Sequence, residues 1–159
     1  MGHHYYSAHA AELRADLGRA ISREQMRAFH RKSPARHLIV AVRQFAILGI
    51  GTWALITFPH PAIWMPLAIL QGFTVFNFSV LLHEVVHHAV FARRREKAER
   101  VLGLAYALPS GISATQFTRW HLDHHQELGS KTDDPKRFHL SPKINARWLK
   151  ALYMTPALF

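Results

Sequence analysis

Residues 62–82 run for 21 positions without a charged side chain. As a helix, at 1.5 Å per residue, that stretch spans roughly 31 Å, about the thickness of a bilayer's hydrocarbon core. A second apolar stretch, Leu38 to Phe58, lies just upstream and is flawed only by Arg43 and Gln44 near its start. Arg43 can snorkel to the headgroup level. Pro59-His60-Pro61 joins the two by a tight, uncharged turn. Two neighbouring stretches of this length predict a transmembrane helical hairpin rather than a buried helix of a soluble protein. Gln71 and Asn77 fall on different faces of the second stretch. Polar residues there are expected to face other helices rather than lipid.

Charge sets the expected orientation. Arg14, Arg19, Arg23, Arg27, Arg31, Lys32, Arg36 and Arg43 precede or open the first stretch, Arg93, Arg94, Arg95, Lys97 and Arg100 follow the second, and the turn between has none. Both ends of the hairpin are therefore expected on the cytoplasmic side. A net charge of +10 is compatible with nucleic acid, but basic residues that bracket apolar segments fit anionic lipid headgroups better. No nucleic-acid partner is expected. The absence of cysteine excludes disulfides and thiolate metal ligands.

Residues 7–32 read as short amphipathic helices lying on the membrane surface. Leu13, Leu17 and Ile21 follow helical spacing, Gly18 is a candidate stop, and Ser22 with Gln25 resembles a capping box that restarts a helix through Met26 and Phe29. Ser33-Pro34 then ends it. Val101 to Phe117 is moderately apolar but broken by Pro109, Ser110 and Gly111, and reads as a re-entrant or interfacial segment. After a polar loop, Trp148 to Phe159 turns apolar again. These twelve residues read as the start of a third span.

Six of the thirteen histidines fall in two clusters, His83-Glu84-Val85-Val86-His87-His88 and His121-Leu122-Asp123-His124-His125. On a helix His83 and His87 lie about 40° apart, with His88 at the edge of that face, and His121, His124 and His125 share an arc of about 100°. Neutral imidazole is a common metal ligand, and two such faces turned together could surround one metal ion or a pair. The first cluster also fits HExxH, the zinc-protease pattern in which Glu84 would activate water. Against it stand His88 and the second triple-histidine set, more imidazole than one zinc needs. Glu84, four positions before His88, is instead expected to hydrogen-bond that ring.

HEVVHH followed by HLDHH after a membrane hairpin resembles the integral-membrane fatty acid desaturase and hydroxylase superfamily. Thr118 to Gly129, leading to Asp133-Asp134-Pro135, is similar to the second histidine box of lipid desaturases, including those acting on sphingoid chains. The resemblance implies a non-haem di-iron centre ligated by His83, His87, His88, His121, His124 and His125. It implies a lipid acyl substrate, and an external electron donor of the cytochrome b5 or ferredoxin type, the N-terminal 37 residues being too short for a fused haem domain. The expected product is a carbon–carbon double bond, with a hydroxylase or ketolase of the same superfamily, or an intramembrane zinc protease, as alternatives. The family carries a third histidine box beyond two further spans, and His139 alone does not supply one. The expected architecture is thus an all-α membrane protein, truncated before the remaining spans. Its parts are a basic interfacial segment (1–37), a hairpin (38–82), a cytoplasmic histidine-box region (83–147) and the start of a third membrane segment (148–159). Alone, these residues are expected to be inactive.

Overall fold

A computed structural model describes residues 4–58 and 60–136, which form helices and loops with no strand among them. The expectations for His139 and for 148–159 lie outside the described residues. The chain divides into two compact units, residues 27–117 and residues 1–26 with 118–159.

In the first of these, two long helices begin in the same way. α4 (Pro34–Thr57) has Ser33 as N-cap, whose hydroxyl accepts from the Arg36 N–H at 3.5 Å. α5 (Pro61–Val86) has His60, whose Nδ1 accepts from the Ala62 N–H at 3.3 Å. Each cap is followed by proline, whose missing N–H matters least in a helix's first turn. Both helices start earlier than the apolar stretches, and α5 carries on past Leu82 into the first histidine cluster, ending at Val86. Both are long and apolar enough to cross a membrane, and only 17% and 22% of their apolar windows are buried. Ile39, Ile50 and Ile56 of α4 and Ile69, Phe73 and Phe76 of α5 stay exposed. A helix that is apolar all round needs apolar surroundings, and so little burial fits lipid rather than a protein interior.

α4 and α5 pack as a hairpin, and α6 (Glu96–Ser110) packs on α5. Their core is aromatic at the centre. Phe78 is fully buried, with Phe45 at 4.6 Å and Tyr106 at 6.3 Å between ring centroids. The interrupted stretch Val101–Phe117 is divided between α6 and α7 (Ala114–Gln126), with the break at Gly111, where φ is +65°. That left-handed conformation favours glycine at a helix end.

Gln71 faces α4, as expected of a polar residue in such a helix. Its Nε2 donates to the carbonyls of Ile47 (3.3 Å) and Leu48 (3.0 Å). The approach depends on Gly51, since a Cβ there would lie 2.0 Å from that nitrogen.

In the second unit, α1 (Tyr5–His9) meets α2 (Ala11–Ala20), and α3 (Arg23–Phe29) starts there. The capping box forms reciprocally: Ser22 N–H donates to Gln25 Oε1 at 3.0 Å, and Gln25 N–H to Ser22 Oγ at 3.2 Å. Gly18 does not stop α2. A glycine inside a helix costs only about 1 kcal/mol relative to alanine, and the turn comes at Ile21, extended at φ −123° just ahead of the box. Leu13 and Leu17 are exposed, leaving the apolar stripe of α2 bare. Ser33-Pro34, expected as a terminator, also opens α4.

Gly51→Ala should destabilise the hairpin by about 1–2 kcal/mol, because the Gln71 amide must leave its carbonyls. Adding Gln71→Ala should remove much of that penalty, a non-additivity readable by thermal unfolding in detergent.

Candidate metal centre

The first histidine cluster sits at the end of α5, and the way that helix ends arranges it. The Ala89 N–H bonds the Glu84 carbonyl and the His88 N–H the Val85 carbonyl, both at 2.9 Å. This is the paired closure of a Schellman turn, with His88 in the position usually held by glycine. His88 accordingly has φ +52°, the only non-glycine positive φ among the described residues. His83 and His87, one turn apart, have ring centroids 4.6 Å apart, edge to face.

Glu84 does not bond His88, contrary to expectation. The left-handed backbone takes the His88 ring off the face that an i+4 contact requires. His88 Nδ1 donates instead to Glu99 of α6 at 2.7 Å. Glu84 accepts from His37 Nδ1 at 2.7 Å, and the far nitrogen of that ring, Nε2, lies 3.0 Å from the Tyr106 hydroxyl. Burial, with the nearby Glu84 charge, pushes the Tyr106 hydroxyl up to about 12. The phenol therefore keeps its proton and donates it to His37 Nε2. His37 and Tyr106 are both buried, and the three side chains join α4, α5 and α6.

The second cluster lies on α7, in the other unit. His121 and His124 are buried, and the Nε2 atoms of His121 and His125 stand 2.9 Å apart. His124 Nδ1 donates to Asp134 Oδ1 at 2.6 Å. Asp134 is itself fixed by the N–H groups of Gly129 (3.4 Å) and Lys136 (3.0 Å).

These residues fit a metal in three respects. Two metal–nitrogen bonds of about 2.1 Å at a right angle put their nitrogens about 3.0 Å apart, close to the His121–His125 separation. His88 and His124 each give Nδ1–H to a buried carboxylate, which leaves Nε2 as the basic nitrogen, the usual backing of a metal-bound imidazole. Glu99 also holds a buried oxygen, Oε1, without a hydrogen-bond partner, negative charge that a cation on His88 would offset. All six sequence-predicted histidines occupy these two sets. Sequence reasoning missed His37, Tyr106 and Glu99 as parts of the network, and placed Asp134 in the run that follows the second histidine box without giving it a role. Asp134, ten residues from His124 beside Asp133 and Pro135, had some local signal. His37 had none.

Comparison with known proteins places the chain. The family model described as fatty acid desaturase matches residues 59–159, and the chain belongs to that family. It is 31% identical over 74 residues to the sphingolipid delta(4)-desaturase DES1 of Drosophila melanogaster, covering 45% of this chain and 23% of that protein. It is 34% identical over 55 residues to the Homo sapiens protein of the same name, covering 34% and 17%. With the Homo sapiens sphingolipid delta(4)-desaturase/C4-monooxygenase DES2 it shares 31% over 81 residues, covering 46% and 25%. The alignments thus span a quarter or less of these relatives. No solved structure matches the chain.

His88→Gly and His88→Ala both lose the bond to Glu99 and differ only in how they tolerate a positive φ. The glycine variant should be the more stable by about 1 kcal/mol, the reverse of the order inside a helix. Chemical unfolding of the pair checks this.

Proposed function

We propose that the chain is part of a lipid acyl-chain desaturase, with His83, His87, His88, His121, His124 and His125 as ligands of a non-haem di-iron centre at the cytoplasmic face of the membrane. The observation that carries this is the presence of two imidazole sets, each with a histidine backed by a carboxylate, in a chain of the fatty acid desaturase family. The hairpin of α4 and α5 would anchor the site in the bilayer, with both ends on the basic, cytoplasmic side. Iron, when bound, supplies the activation of dioxygen. The overall change balances as dioxygen, two electrons and two protons, with two hydrogens taken from adjacent chain carbons, giving a double bond and two waters. The electrons come from an external donor of the cytochrome b5 or ferredoxin type.

The chain's own residues have narrower tasks. Glu99 and Asp134 keep the protons of His88 and His124 on Nδ1, so that Nε2 would be the nitrogen available to an ion. The apolar walls of α4 and α5 would hold a hydrocarbon chain and keep water away. The relatives are named for sphingolipids, so a sphingoid lipid is the first substrate to test. One relative is named both desaturase and C4-monooxygenase, which keeps hydroxylation as a second reading. A double bond and a hydroxyl differ in product mass. The protease reading fits less well, because the Glu84 carboxylate, its required base, is engaged by His37.

Six imidazoles give at most three per iron, so residues 1–159 alone are expected to hold iron poorly and to form no product. Stoichiometric di-iron with turnover from these residues would overturn that part of the reading. In the full-length protein, Asp134→Asn should lower iron affinity about 10–100-fold, measured by metal titration. Unchanged affinity would remove His124 from the ligand set.

A further inference from the structure

The end of α5 is held from the start of α4, by two side chains that the histidine clusters do not include. Lys32 Nζ donates to the main-chain carbonyl of His88 at 2.7 Å. Five residues on, His37 Nδ1 donates to Glu84 at 2.7 Å. All of these residues lie in one compact unit. The Lys32 ammonium thus meets the carbonyl end of α5, where the helix dipole favours a cation. Glu84 is fixed twice, its side chain by His37 and its main-chain carbonyl by the Ala89 N–H at 2.9 Å.

Of the two holding groups, His37 is itself tied at both ring nitrogens. His37 is 6% exposed, and the Tyr106 hydroxyl donates to its other nitrogen. Ser33 and Pro34, the cap and first residue of α4, set the backbone between Lys32 and His37.

The end of α5 needs such support. The last turn of a helix lacks onward hydrogen bonds and frays. His88 in addition occupies a backbone region that costs roughly 1–2 kcal/mol for a residue with a Cβ. Released, the turn would relax to the right-handed side and carry the His88 ring away from Glu99. A ligand set is sensitive to displacements well under an ångström.

We propose that Lys32 and His37 form a clamp that positions the first histidine set, holding the residues on either side of His87 in one geometry. They are positioning residues and do not touch iron. The consequence for metal binding rests on the metal-centre reading above, whereas the clamp itself does not.

The test uses the full-length protein in detergent as wild type, His37→Leu, His37→Gln and Lys32→Met. Glutamine can replace both contacts, donating to Glu84 through its amide and accepting from Tyr106 through its oxygen. Hydrogen exchange is read on iron-free protein over Val85–Ala89, and iron affinity by titration. His37→Leu and Lys32→Met should each speed exchange there about tenfold or more, with α4 and α6 unchanged. His37→Leu should also weaken iron binding about tenfold, and His37→Gln should restore both to within about twofold of wild type. Unaltered exchange in His37→Leu overturns the clamp. So does exchange accelerated evenly through all three helices, or His37→Gln as impaired as His37→Leu. Altered exchange with unaltered iron affinity overturns the positioning role. If the wild type binds no iron, the metal-centre reading falls and the exchange data still decide the clamp.

Discussion

A polar group buried among apolar helices draws its partner from the protein, because apolar surroundings offer none and an unmet hydrogen bond is costly there. That constraint organises residues 27–117. Gln71 turns to the carbonyls of Ile47 and Leu48 and so requires glycine at 51. Tyr106, wholly enclosed beside Phe78, satisfies its hydroxyl through His37, and His37 satisfies its other nitrogen through Glu84. Apolar contacts between α4, α5 and α6 tolerate sliding and rotation, since one leucine packs much like another. A chain of two directed bonds across three helices tolerates neither, and so it fixes the register of the helix that carries His83 and His87.

What the sequence made legible was local or periodic. The two apolar helices, the turn between them, the Ser22–Gln25 box and the inward face of Gln71 all follow from spacing and composition. The six clustered histidines were equally plain. What stayed hidden depended on contacts between residues far apart. His37 meets Glu84 across 47 positions and Tyr106 across 69, and neither helical periodicity nor a motif encodes such a meeting. The expected Glu84–His88 bond failed for a related reason. Counting by fours presumes that the helix continues, and α5 ends at Val86. Gly18 misled in the opposite sense, since glycine is a frequent helix terminator that a favourable neighbourhood can carry through.

The same four-residue spacing in HExxH serves different chemistry according to what surrounds its glutamate. In a zinc protease that carboxylate must reach a metal-bound water. Here it accepts a hydrogen bond from a buried imidazole on another helix, which makes it a structural tie. The motif places the two histidines. The partner of Glu84 decides what the acid between them does, and that partner lies outside the motif.

Two conflicts between local preference and observed structure meet at the end of α5. A histidine stands where a Schellman turn favours glycine, and a carboxylate of α6 is buried with one oxygen unpartnered. Each is unfavourable alone, and a hydrogen bond joins the two. The Ser33 cap and the glycine at 111 follow the rules of capping and turn chemistry. Among the described residues His88 is the one non-glycine with a positive φ, and residues held in such backbone regions cluster at functional sites. The strained residue is an imidazole held by its Nδ1 so that Nε2 is the basic nitrogen, the arrangement that the proposed ligand role would use.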